Sequence, residues 1–84
     1  MNLFRLMDKG VSPPVIADAL FSHFDRIEQR EIRSGCWPFQ YAMICRDRSS
    51  DARLVVLFYG ACNGWHYQAH SPAILKQLRL ESRQ

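Results

Sequence analysis

Hydrophobic and polar positions along the chain fall into strand-like and helix-like rhythms, and the strand-like one is clearest from Arg53 to His70 (RLVVLFYGACNGWHYQAH). Apolar residues run through this stretch and are broken once, at Asn63-Gly64. Asn-Gly between two apolar runs is a strong hairpin signal, because both central residues of a type I′ turn need positive φ. With these two at the tip, Cys62 is expected opposite Trp65, Gly60 opposite Tyr67 and Phe58 opposite Ala69. Strand side chains alternate in direction, so that register predicts two faces. Face one collects Leu54, Val56, Phe58, Gly60, Cys62, Trp65, Tyr67 and Ala69, a core face. Face two collects Arg53, Val55, Leu57, Tyr59, Ala61, His66, Gln68 and His70.

A further strand is expected over Phe39 to Arg46, after Pro38 has stopped any helix. Phe39, Tyr41, Met43 and Cys45 point to face one; Gln40, Ala42 and Ile44 point to face two. The polar tip Arg48-Ser49-Ser50-Asp51 joins this strand to the hairpin and predicts Cys45 beside Leu54 and Met43 beside Val56.

The remaining segments carry helical spacing. Asn2 caps a short helix over Leu3, Phe4, Leu6 and Met7, which Gly10 ends. Ser12 followed by Pro13-Pro14 opens a second helix. Ile16, Leu20, Phe24 and Ile27 form its apolar stripe, widened by Val15 and Phe21, with Asp18, Ser22, Asp25 and Gln29 opposite. The stripe predicts a long helix to about Arg30 or Arg33, closed by Ser34-Gly35. Ser71-Pro72 opens a last helix over Ile74, Leu75 and Leu78, fraying through Glu81 to Gln84. The expected order is ααβββα: a single α+β domain over residues 1–84, built as a two-layer sandwich of helices on a three-stranded antiparallel sheet.

Composition narrows the class. A hydrophobic fraction of 48% with five Phe, three Tyr and two Trp describes a folded globule. The formal charge of +3 and pI near 9.0 suit an acidic partner without being a nucleic-acid signature. No apolar run reaches the ~18 residues of a membrane span, and MNLFRLMDKG lacks a signal-peptide pattern, so a cytoplasmic protein is expected. Cys36, Cys45 and Cys62 have no metal-site spacing and are read as reduced thiols.

Face two draws attention. Ile44, Val55, Leu57 and Tyr59 make an apolar centre, rimmed by Arg46, Arg53, His66, Gln68 and His70. A solvated sheet face would carry Thr, Lys and Glu there. An apolar centre in a polar rim is the anatomy of a partner-binding patch, unless the first or the last helix folds over it. Self-association into a homodimer is the simplest use of such a patch, and a foreign protein the next.

Catalytic constellations fare worse. His66 and His70 lie four residues apart on one strand, about 13 Å, too far to share a metal. Cys62 and His66 face opposite ways and cannot form a nucleophile pair. Asp47 and Asp51 flank a tip as turn formers. Neither enzyme chemistry nor a cofactor or metal is therefore expected.

Two nucleic-acid-binding patterns are present only in part. LMDKGVSPPVIADAL has the rhythm of a helix-turn-helix, but its exposed positions offer Pro14, Asp18 and Ser22, where carboxylates would meet phosphates. The helix-strand-strand-strand-helix order resembles double-stranded RNA-binding domains, yet His70-Ser71-Pro72-Ala73 stands where they carry a lysine cluster. The expectation is a small non-enzymatic protein-interaction module, an inhibitor or adaptor of a larger machine in the manner of phage and mobile-element accessory proteins. The alternative is a nucleic-acid-binding regulator using Arg26, Arg30 and Arg33 or the arginine tip Arg46, Arg48 and Arg53.

Overall fold

The computed structural model describes residues 2–33 and 37–80. The expected closure at Ser34-Gly35, the position of Cys36 and the fraying at 81–84 lie outside the described residues.

The chain is an α+β domain. It opens with α1 (Leu3–Lys9) and α2 (Pro13–Leu20), continues through β1 (Arg26–Glu31), β2 (Tyr41–Arg46), β3 (Arg53–Ala61) and β4 (Gly64–His70), and returns in α3 (Ile74–Gln77). The four strands form one antiparallel sheet in sequence order. The sheet thus has four strands where three were expected.

The fourth strand comes out of the expected long helix. α2 stops at Leu20, where the Phe21 and Phe24 amides still bond to the Ala17 and Leu20 carbonyls, and the chain then straightens into β1. Ile27 fits both periods: it continues the i+3/i+4 stripe of α2, and as a strand residue it faces Cys45 and packs on the same core. The sequence RIEQRE decides for a strand because its residues are mostly exposed, as an edge strand tolerates, whereas a helix there would extend its apolar stripe by Ile27 alone.

α1 and α2 start where the sequence implied, though the Ser12 side chain makes no cap bond, whereas α3 starts at Ile74 with Ala73 at its cap and not at the expected Ser71-Pro72. The Asn2 side chain accepts from the Phe4 amide at 2.9 Å, and Gly10 ends α1 in the left-handed region at φ 69. Gly10 has a second role. A Cβ there would stand 3.0 Å from the Trp65 carbonyl oxygen, and the Trp65 amide donates to Gly10 O at 3.3 Å. The α1–α2 turn therefore sits against the start of β4, and the Tyr67 hydroxyl donates to Val11 O from the same strand.

The β2–β3 register is the expected one, Cys45 beside Leu54 and Met43 beside Val56. The β3–β4 register is slipped by two residues: Gly60 faces Trp65, Phe58 faces Tyr67 and Val56 faces Ala69, so Cys62 and Asn63 form the tip. Neither tip residue takes positive φ, which falls instead on Gly64, the first residue of β4, at 124, so this is not the expected type I′ turn at Asn63-Gly64. A slip of two preserves parity, so the paired residues keep their faces, while Cys62 leaves face one for the tip.

Face one packs under α1 and α2. Leu6, Met7, Ile16, Leu20, Met43, Cys45, Val56 and Phe58 are buried together. Phe58 stacks on Tyr41 and Tyr67, ring centroids 5.4 and 5.8 Å away, forming one aromatic row across three strands. The bare Cα of Gly60 accommodates the Trp65 indole, whose ring a Cβ would meet at 3.1 Å. Cys62, expected in this core, is exposed at the tip.

Face two carries a second core, where the chain departs from a two-layer sandwich. Ala42, Val55 and Leu57 are buried beneath Leu78 and Leu80, with Ile32, Phe39, Ile74 and Leu75 packed around them. The C-terminal segment thus covers the side of the sheet opposite α1 and α2. Phe39 belongs to this second core, because it precedes β2 and turns its ring edge-on to Tyr59, 5.3 Å away, instead of continuing the alternation toward face one.

Candidate functional site

The expected patch is divided by α3. Val55 and Leu57, its centre, are 1% and 0% exposed, so neither is available to a partner. The correction has a simple cause: Ile74, Leu75, Leu78 and Leu80 need an apolar surface, and face two is the one left by α1 and α2. Ile44, Arg46, Arg53, Tyr59, His66, Gln68 and His70 remain at least partly exposed around it.

These survivors split into two ends. At the hairpin end, Tyr59 and His66 pair across strands with rings stacked 4.9 Å apart, and His66 Nε2 meets Asn63 Oδ1 at 3.0 Å. At the far end of β4, opposite Val55, His70 Nε2 meets Gln68 Oε1 at 2.6 Å. The described residues hold no group of three metal-ligating side chains.

At the other end lies a row of charge. The ladders place Arg26 opposite Arg46 and Arg46 opposite Arg53, three arginines abreast on one face of β1, β2 and β3. Like charges directly opposite across strands are destabilising, so folding alone does not favour this row. Arg53 reaches Asp51 at 3.8 Å; among the described residues, Arg26 and Arg46 have no carboxylate within 4.0 Å.

Beside the row runs a groove lined by Arg26, Glu28, Arg30, Ile44, Arg46, Leu75 and Leu80. It continues into a second hollow lined by Arg30, Glu31, Arg33, Leu78, Arg79 and Leu80. Arg30 and Leu80 belong to both, giving one trough along β1, walled by arginines and floored by Ile44, Leu75 and Leu80. Arg30 is held by Glu28 at 3.3 Å and Arg33 by Glu31 at 3.9 Å.

The β2–β3 tip is a built turn. Asp47 accepts from the Ser49 hydroxyl and from the amide and hydroxyl of Ser50, and the Ser50 hydroxyl chiefly holds its carboxyl below the usual range. Asp25 accepts from the Arg48 amide at 3.3 Å. Asp25 and Asp47 are thus engaged by the turn's own amides and hydroxyls, and of the tip arginines Arg53 alone reaches a carboxylate among the described residues, Asp51.

Sequence reasoning placed Arg26, Arg30 and Arg33 on a helix and did not join them to Arg46. The signal was present as the alternation Arg26-Glu28-Arg30, a strand period. Glu28, Leu75 and Leu80 were missed because the fold over face two brings them together. No described helix is long and apolar enough to cross a membrane. Comparison with known protein families, curated proteins and solved structures finds no match to this chain.

Proposed function

We propose that this chain is a small protein-binding module whose arginine-walled trough takes an acidic, apolar-punctuated segment of a larger protein, as an inhibitor or adaptor would. One observation carries the reading: Arg26, Arg46 and Arg53 stand abreast beside an apolar floor, two of them without an ion-pair partner among the described residues. A row of cations that costs stability is accounted for by an anion that neutralises it. The floor of Ile44, Leu75 and Leu80 favours a peptide over a phosphate backbone. Binding requires no catalytic group.

The test is affinity capture from the native host's lysate after nuclease treatment, comparing the wild type with Arg26→Glu/Arg46→Glu and with Arg5→Glu as a control. A stoichiometric protein retained by the wild type and the control, and lost by the double variant, is expected. Equal retention by the double variant refutes the trough. Nucleic acid in untreated samples, with nothing retained after nuclease, replaces the reading with that of a nucleic-acid-binding regulator using the same row.

A further inference from the structure

The two edges of the sheet are not alike. At the β4 edge the Trp65 amide is taken by Gly10 O, and Tyr67 bonds to Val11, so the α1–α2 turn occupies the start of that edge. At the β1 edge no described residue takes the outward backbone groups. Which groups these are follows from the ladder. The Ile32 amide donates to Gln40 O at 2.8 Å, extending the β1–β2 pairing, so Arg26, Glu28 and Arg30 also turn their N–H and C=O toward β2. Ile27, Gln29 and Glu31 turn theirs away.

Natural edges are protected by proline, bulges or charges that repel a second strand. β1 has neither proline nor bulge, and its charges alternate in sign. Antiparallel pairing of β1 with itself must match outward residues to outward residues, which restricts the two-fold axis to a few positions. Centred on Glu28, it sets Glu28 against Glu28 and Arg26 against Arg30. Centred on Arg30, it sets Arg30 against Arg30. Centred on Gln29, it sets Glu28 against Arg30 twice, once in each direction, with Gln29 against Gln29 and Ile27 beside the aliphatic stem of Glu31. One well-overlapped register is thus attractive and its neighbours repulsive.

We propose that a second copy of this chain pairs with β1 in the register centred on Gln29, joining two four-stranded sheets into one of eight strands. The two-fold sets the two arginine-walled troughs side by side on the same sheet face. Glu28 and Arg30 also line the troughs and pair with each other within one chain at 3.3 Å, so the two-fold exchanges that contact for one between copies, and it is tested on the chain alone.

The test uses sedimentation equilibrium on the full chain alone, with Glu28→Arg, Arg30→Glu, the double swap Glu28→Arg/Arg30→Glu, and an equimolar mixture of the two single variants. The wild type is expected at twice 9.8 kDa, dissociating on dilution. Each single variant places two like-charge pairs at the interface and weakens association about tenfold or more. The double swap restores it, and the mixture forms a heterodimer tighter than either variant's homodimer. Gln29→Pro removes an amide that points away from β2, leaving the β1–β2 ladder whole, and is expected to be folded and monomeric. A wild type that stays at 9.8 kDa overturns the proposal, as does a dimer indifferent to the single swaps or a mixture that shows no complementation.

Discussion

Docking of the C-terminal segment on face two can be tested through Leu78, which is 2% exposed and buried with Val55 and the fully buried Leu57. Leu→Ala at a buried site costs about 2–5 kcal/mol, from lost transfer free energy and the cavity left behind. α3 is a single turn, short enough to collapse partly into that space, so a cost near ~2.5 kcal/mol is expected for Leu78→Ala. A domain of this length is stable by roughly 4–13 kcal/mol, so the variant stays folded with Tm lower by about 10–20 °C. Leu57→Ala, in the centre of β3, falls higher in the range. Because both side chains line one cluster, the double variant should depart from additivity by about 0.5–1.5 kcal/mol. Urea unfolding followed through Trp65, which packs in the other core against Phe58, gives all three free energies. Leu78→Ala within about 0.5 kcal/mol of wild type, together with strict additivity, would mean that the segment is not docked and Leu57 is exposed.

Further expectations follow from single contacts. Gly10→Ala combines a left-handed backbone with a Cβ 3.0 Å from Trp65 O, and should cost at least about 1–2 kcal/mol in thermal unfolding, where Lys9→Ala costs little. Tyr67→Phe, which removes the bond to Val11 O, should cost about 1 kcal/mol by the same measurement. Burial pushes the Cys45 thiol from its ordinary 9.0 up to about 12, so above pH 9 the unfolded chain loses a proton that the folded chain keeps. Stability present below pH 9 should therefore fall by up to about 1.4 kcal/mol per pH unit between 9 and 12, and Cys45→Ala should flatten that slope in urea titrations. In native protein, Cys62 should be alkylated and Cys45 protected, as peptide mapping after a short iodoacetamide pulse would show.

What the sequence disclosed depended on how redundantly each feature is encoded. Strand faces are readable because parity survives error: the β3–β4 register is off by two residues, yet Val56, Phe58, Trp65 and Tyr67 lie on the expected side. The turn misleads because Asn63-Gly64 signals a tip, whereas Gly64 supplies its positive φ from the first position of β4. β1 was hidden because an edge strand that buries little side-chain surface needs little hydrophobicity, so RIEQRE carries one apolar residue that suits either period. The apolar content of face two was legible, but its cover was not. Whether α3 or a partner lies on Val55 and Leu57 is a question of where a connection leads, and periodicity is silent on that.

That cover changes which residues on face two can act. An apolar patch recruits by area, and its affinity would vary little with salt. With Val55 and Leu57 under Leu78, what the face still presents to solvent along β1 is charge on a narrow apolar strip, from Arg26 and Arg46 to Arg30 and Arg33. Recognition of that kind is steered by electrostatics, so rim substitutions act mainly on association rate and on salt dependence. Leu57→Asp would accordingly act on the fold and not on a binding surface. On an exposed patch it would abolish binding and leave the fold intact. Beneath α3 it places a carboxylate where no described group can pair it, so loss of binding by that variant would report unfolding and say nothing about a partner.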